Sequence, residues 1–218
     1  VIEELLVEMH LLSVNSSFCY DPIYALGVVT TYDTFMQGYE PTADVLAMLN
    51  ALCQALQLDP EQYRRDEEQL IAIARQGSGG QLLRWLTDTA SLTEAPSLLR
   101  DTLQAVAARE NFKYSRLFAI GLFTLLETAE PELVKDKEKL QPLVEQISGT
   151  LNLPAERLLR DLDLYRSNLE KMAQAREVME EAIQAERRKR EQREQAKATP
   201  VTPASSEETQ PLPDSPQM

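Results

Sequence analysis

Apolar residues recur three and four positions apart along most of the chain, and that periodicity predicts helices rather than strands. The first predicted helix runs from Val1 to Leu12. A second starts at Asp21-Pro22, where an acidic cap and a first-turn proline precede Ile23, Tyr24 and Leu26, and it stops at Gly38 and Pro41. Thr42 is placed to cap a third, with Val45, Leu46, Leu49, Leu52, Cys53 and Leu56 at helical spacing. Asp59-Pro60 repeats the start signal for a fourth helix, and Gly77-Ser78-Gly79-Gly80 ends it in a flexible loop.

Leu82, Leu83, Trp85 and Leu86 then make a short helix, and Pro96-Ser97 opens another through Leu98, Leu99, Leu103 and Val106. The segment from Tyr114 to Thr128 is apolar nearly all round, as expected of the central helix of a bundle. One more helix is expected from Pro131 to about Gly149. Only Val28 to Tyr32 has strand propensity, and it lies inside a helical pattern that tertiary packing should enforce.

After Pro154 the pattern changes. Leu158, Leu162, Tyr165, Leu169, Met172, Arg176, Met179 and Ile183 are spaced alternately four and three apart, a heptad seam broken once by Arg176. No Gly or Pro interrupts Ala155 to Ala198, so a continuous helix there is roughly 65 Å long at about 1.5 Å per residue. The first part of the seam, Leu158 to Leu169, is expected to pack on the bundle and the remainder to project from it. Beyond Ile183 charge replaces apolar residues, and Glu186–Arg190 and Arg190–Glu194 are spaced to support an isolated helix. The expected organisation is all-α: an acidic bundle over 1–153, one long coiled-coil-like helix over 154–197, and a disordered Pro/Ser/Glu-rich tail over 198–218.

Charge narrows the functional classes. The chain of 218 residues has a net charge of −13, and residues 1–154 carry 22 acids against 11 bases. Residues 155–197 are nearly balanced, with 10 acids and 11 bases. An acidic body argues against nucleic acid, whose binding rests on Lys and Arg neutralising phosphates, and against simple attraction to anionic lipid. The longest apolar run, Phe118 to Leu126, is too short to span a bilayer. The chain opens at Val1 inside an amphipathic helix and without a methionine, the pattern of a sequence whose N-terminal segment is missing; a targeting peptide in that segment would not be seen.

Candidate chemistry is sparse. Cys19 and Cys53 are too few and too far apart for a disulfide framework or a zinc site, and their apolar neighbours predict buried thiols in a reducing compartment. His10 is the sole histidine and has no neighbours that complete a metal ligand set or a catalytic triad. The Gly77–Gly80 loop lacks the Lys-Ser/Thr ending of a phosphate-binding loop. Glu3-Glu4, Glu67-Glu68 and Glu180-Glu181 diverge by about 100° as helix neighbours, so they read as solvated faces rather than acid–base pairs. Phe112, Tyr114, Phe118 and Phe123 read as core, with a pigment or cofactor pocket near Phe118 as the alternative. No catalytic, cofactor or metal residues are assigned. The seam is the feature weighted toward function, with Met172, Arg176, Met179, Ile183, Arg187 and Arg190 as the candidate protein-binding residues.

Several long motifs carry a resemblance. Glu3-Glu4-Leu5-Leu6-Val7-Glu8-Met9-His10-Leu11-Leu12, Tyr20-Asp21-Pro22-Ile23-Tyr24-Ala25-Leu26-Gly27-Val28-Val29-Thr30 and Phe35-Met36-Gln37-Gly38-Tyr39 resemble the thylakoid formation protein family. So do Asn50-Ala51-Leu52-Cys53 and Tyr114-Ser115-Arg116-Leu117-Phe118-Ala119-Ile120-Gly121-Leu122. The family is also described as the photosystem II biogenesis protein of oxygenic phototrophs, and the acidic Pro-rich tail looks cyanobacterial rather than plant.

The resemblance implies an all-helical fold with a long C-terminal coiled-coil helix. It further implies a non-enzymatic role in thylakoid biogenesis and photosystem II assembly and repair, with the membrane-bound FtsH protease complex as partner and photosystem II involved indirectly. Plant members are linked to sugar signalling. The expected location is peripheral, on the cytoplasmic face of the thylakoid (stromal in a plastid), as a monomer or with weak self-association. The alternative is a coiled-coil scaffold that pairs two copies through the seam.

Overall fold

The computed structural model describes residues 2–198, with side-chain surroundings through residue 192. Every regular element among the described residues is helical. The first five helices are α1 (Ile2–Ser13), α2 (Pro22–Met36), α3 (Thr42–Ala55), α4 (Pro60–Gln76) and α5 (Gly79–Thr87). A short 3-10 turn, Ser91–Glu94, precedes α6 (Ser97–Ala107), α7 (Arg116–Ala129), α8 (Pro131–Lys135), α9 (Lys137–Leu151) and α10 (Ala155–Ala198).

The caps explain why several helices start where they do. Asp21 Oδ1 accepts the Tyr24 amide at 2.8 Å and Asp59 Oδ1 accepts the Glu61 amide at 3.0 Å, each just ahead of a proline fixed in the first turn. Ser115 Oγ does the same for α7, accepting from the Phe118 amide at 3.1 Å. The Asp21 and Ser115 bonds satisfy amides that would otherwise be orphaned at buried helix ends, while the Asp59 cap is exposed.

α2 and α7 form the centre and pack more extensively on each other than any other pair. α7 is buried continuously from Leu117 to Leu126, as its all-round apolar sequence predicts. α2 shares that position: Ile23 to Val29 are all buried, so Val28 and Val29 stay helical because their branched side chains fill core space rather than a sheet. α4 packs on the α2 side and contributes Tyr63 and Leu70, while α1 contributes Leu5, Met9 and Leu12.

Three expectations need correction. The helix expected from Pro131 to Gly149 is two helices: Asp136 is extended (φ −90, ψ 106), and its Oδ1 accepts the Glu138 amide at 3.0 Å, capping a fresh start. α9 then ends at Asn152 in the left-handed region (φ 55). Thr42 does not cap α3; it is the first helical residue, and Pro41 ahead of it offers no side-chain hydrogen bond. The glycine run is loop only in its first half, because Gly79 and Gly80 begin α5.

The described residues divide into two units, one ending at Asn168 and the other beginning at Leu169. The first takes the beginning of α10, whose Leu158, Leu162 and Tyr165 are buried in it. In the second, α10 continues through Ala198. The tail is expected over 198–218, but Ala198 is the last residue of α10; the remainder of that segment, 199–218, lies outside the described residues. Among the described residues, no helix is long and apolar enough to cross a membrane.

Candidate interaction surfaces

The six candidate protein-binding residues lie on one side of α10. With about 100° per residue, Met172, Arg176, Met179, Ile183, Arg187 and Arg190 fall within an arc of roughly 80° and span about 27 Å of helix. Met172 and Arg176 are half-buried, whereas Met179 is 65% and Ile183 50% exposed. Arg187 and Arg190 are exposed. The strip is therefore an accessible apolar patch of Met and Ile side chains followed by guanidinium groups, a composition suited to an adaptable protein contact.

Around the start of α2 lies a cluster that sequence reasoning read only as a helix cap. Asp21 is 6% exposed, and burial pushes its carboxyl up to about 7 against the opposing pull of the Tyr24 and Ile23 amides and Arg109. Tyr20, Tyr24 and Tyr63 meet edge to face around it, with centroids 5.2 to 6.3 Å apart. Tyr20 donates its hydroxyl to Asp66 Oδ2 at 2.5 Å. Burial, then the Asp66 carboxylate, holds the Tyr20 hydroxyl far above its ordinary range. Tyr20 and Tyr24 flank Asp21 in sequence, but Tyr63 and Asp66 come from α4, and no local pattern announces that meeting.

Several other candidates find their places. Cys53 is buried, and burial pushes its thiol up to about 11. Cys19, expected to be buried, is exposed: it lies in the irregular segment between α1 and α2, where Arg109 Nη2 donates to its Sγ at 2.9 Å. His10 is exposed near the end of α1. Among the described residues, no group of three or more His, Cys, Asp and Glu side chains is arranged to hold a metal ion. Phe118, Tyr114 and Phe123 are buried and Phe112 half-buried, with Phe112 edge-on to Phe118 at 5.1 Å.

Of the adjacent carboxylates, Glu3, Glu4, Glu68, Glu180 and Glu181 are exposed. Glu67 departs from the expected solvated face: it is half-buried, and burial raises its carboxyl against the pull of Arg64. Arg64 itself grips Asp33 with two hydrogen bonds of 2.6 and 2.8 Å, tying α4 to α2.

Comparison with known proteins joins these surfaces to a family. Thylakoid formation protein, as a family, matches residues 1–194. Protein Thf1 of Synechococcus elongatus is 56% identical over 188 residues, covering 86% of this chain and 74% of that protein. Protein Thf1 of Gloeothece citriformis is 53% identical over 188 residues, covering 86% and 83%. The solved structure of Psb29 superposes with a TM-score of 0.71 at 39% identity, covering 87% of this chain and 86% of that one. Because the match takes in the whole helical bundle and nearly all of α10, at more than half identity to cyanobacterial relatives, the chain belongs to the thylakoid formation protein family.

Proposed function

We propose that this protein is a non-enzymatic accessory factor in thylakoid formation and photosystem II biogenesis, and that it works by binding other proteins at the membrane surface. The observation that carries this reading is the exposed Met179–Ile183 strip on α10, with Arg187 and Arg190 following, in a chain of the thylakoid formation family. Its location is peripheral, on the cytoplasmic (or stromal) face of the thylakoid, and its partner is the FtsH protease complex, which it binds and stabilises.

A pull-down from thylakoid extracts tests the partner and the surface together. The full chain is expected to recover FtsH, and a variant with Met179→Glu and Ile183→Glu is expected to recover much less. Equal recovery by both would remove α10 from the contact, and no recovery by either would remove the protease.

A second reading, a scaffold that pairs two copies through the seam, draws on the same exposed apolar residues. Arg176 at a seam position counts against it, since pairing would bring two guanidinium groups toward one interface. Sedimentation at micromolar concentration separates the readings: a monomer leaves only the heterologous contact.

A further inference from the structure

α1 is apolar on two opposite faces. Leu5, Met9 and Leu12 are buried in the core, whereas Val7, Leu11 and Val14, offset by about 200° around the helix, are 55%, 62% and 66% exposed. A single surface helix needs only one such stripe. Val7 and Leu11 of the second stripe line one side of a groove of about 840 Å³ that follows α1 from Glu3 to Asn15. The opposite wall is the extended segment before α7 and the first turns of α10.

That wall is tied both to α1 and within itself. Arg116 Nη2 donates to Glu8 Oε2 at 2.7 Å, Tyr114 donates to Asp161 at 2.8 Å, and the Arg157 guanidinium lies 5.1 Å over the Tyr114 ring. The groove is thus a fixed feature with a preformed shape. Three of its charges are left over: among the described residues Glu3, Glu4 and Lys113 take part in no ion pair or side-chain hydrogen bond. Their positions differ. Glu3 and Glu4 stand at the N-terminal end of α1. Lys113 lies toward its C-terminal end, because Arg109 before it meets Cys19 beyond α1, and Arg116 after it meets Glu8 in the middle of α1.

We propose that this groove receives an amphipathic α-helix of a partner protein, running antiparallel to α1. Its apolar residues, spaced three and four apart, seat on Val7 and Leu11. Its last turn is basic and meets Glu3 and Glu4; its first turn is acidic and meets Lys113. That charge order is the one an ordinary helix prefers for its own dipole, so the antiparallel direction is the complementary one. The site is built from the first unit alone and is independent of the protease contact proposed for the later part of α10.

Two labelled helical peptides of about 15 residues with the same leucine positions test it against the full chain. One carries Glu in its first turn and Lys in its last, and the companion carries Glu in both. The first is expected to bind about fivefold or more tightly than the companion by fluorescence anisotropy, and the paired Glu3→Lys, Glu4→Lys variant is expected to invert that order. Leu11→Asp, at an exposed position, is expected to keep the circular dichroism and melting temperature of the parent and to weaken the first peptide about tenfold or more. A spin label on the last turn of the bound peptide is expected to broaden the amide signals of Ile2 to Glu4 rather than that of Asn15.

Binding of neither peptide, or equal binding to the Leu11→Asp variant, overturns the proposal. Leu11-dependent self-association in sedimentation, or Leu11-dependent flotation with phosphatidylcholine vesicles, would assign the face to a second copy or to a bilayer instead.

Discussion

Gly27 and Gly121 face each other where α2 crosses α7, and the two backbones touch there. A Cβ on Gly27 would stand 1.7 Å from the Leu117 carbonyl oxygen, and one on Gly121 would stand 1.9 Å from that of Ile23. The contacted atoms are backbone, so no side chain can turn aside to make room.

Either Gly27→Ala or Gly121→Ala should therefore force the central pair of helices apart. Overpacking a core commonly costs about 1–3 kcal/mol, and a clash with backbone at the largest helix contact belongs at or above the top of that range. Urea unfolding of each variant measures the loss. Gly149→Ala is the control, since a Cβ there meets nothing within 4 Å; it should be neutral or slightly stabilising, because alanine favours helix. Equal stability of all three variants would mean that the crossing is looser than described.

The buried carboxyl of Asp21 gives stability an unusual pH dependence. Its folded value is raised from 3.8 to about 7, so between those values the folded state holds a proton that the unfolded chain has released. The stabilisation from this group is complete below about pH 4 and is lost as pH rises through 7. Glu67 and Glu127 are raised by burial as well and act in the same direction. Asp21→Asn keeps a capping side chain for α2 while removing the titration. Chemical unfolding from pH 4 to 8 should show the parent losing on the order of a few kcal/mol more than the Asn variant. Parallel profiles would rule out Asp21 as the source.

The two thiols should differ sharply in access. Cys19 is exposed while Cys53 is buried, with its thiol raised to about 11 by burial. Thiol titration of the native protein is expected to find one reactive group per chain and to find the second only in denaturant. Cys53→Ser should leave the native count unchanged, and Cys19→Ser should abolish it. Two fast-reacting thiols in the folded protein would show that α3 opens readily.

What the sequence made legible was the periodic part of the fold. Asp21-Pro22 and Asp59-Pro60 each cap a helix as read, and the all-apolar stretch after Tyr114 is a central helix. Missed features depend on single residues acting against the period, or on residues distant in sequence. Asp136 interrupts an otherwise continuous helical pattern because its carboxylate restarts capping there. Cys19 has apolar neighbours, yet the chain leaves the core at that point and points the thiol toward Arg109, 90 positions away. The Asp21 cluster was half legible: the cap follows from local chemistry, but burial by Tyr63 and the Tyr20–Asp66 bond require α4 to be docked first. The second apolar stripe of α1 was present in Val7, Leu11 and Val14, but only the docked helix shows which stripe the core takes.

The heptad seam of α10 is one pattern in sequence but two environments in the structure, and stability measurements can separate them. Leu162 is 2% exposed, so Leu162→Ala removes buried methyl groups and leaves a cavity, with an expected cost of about 2–5 kcal/mol. Met179 also lies on the seam but is 65% exposed, so Met179→Ala should change stability by less than about 0.5 kcal/mol. Both positions keep the same helical spacing, and alanine favours helix at either one, so the difference isolates packing from propensity. If Met179→Ala cost as much as Leu162→Ala, the apolar strip would already be covered in the isolated protein and unavailable to a partner. If Met179→Ala leaves stability unchanged but weakens partner recovery, the side chain is held by the fold for contact with another molecule rather than for its own packing.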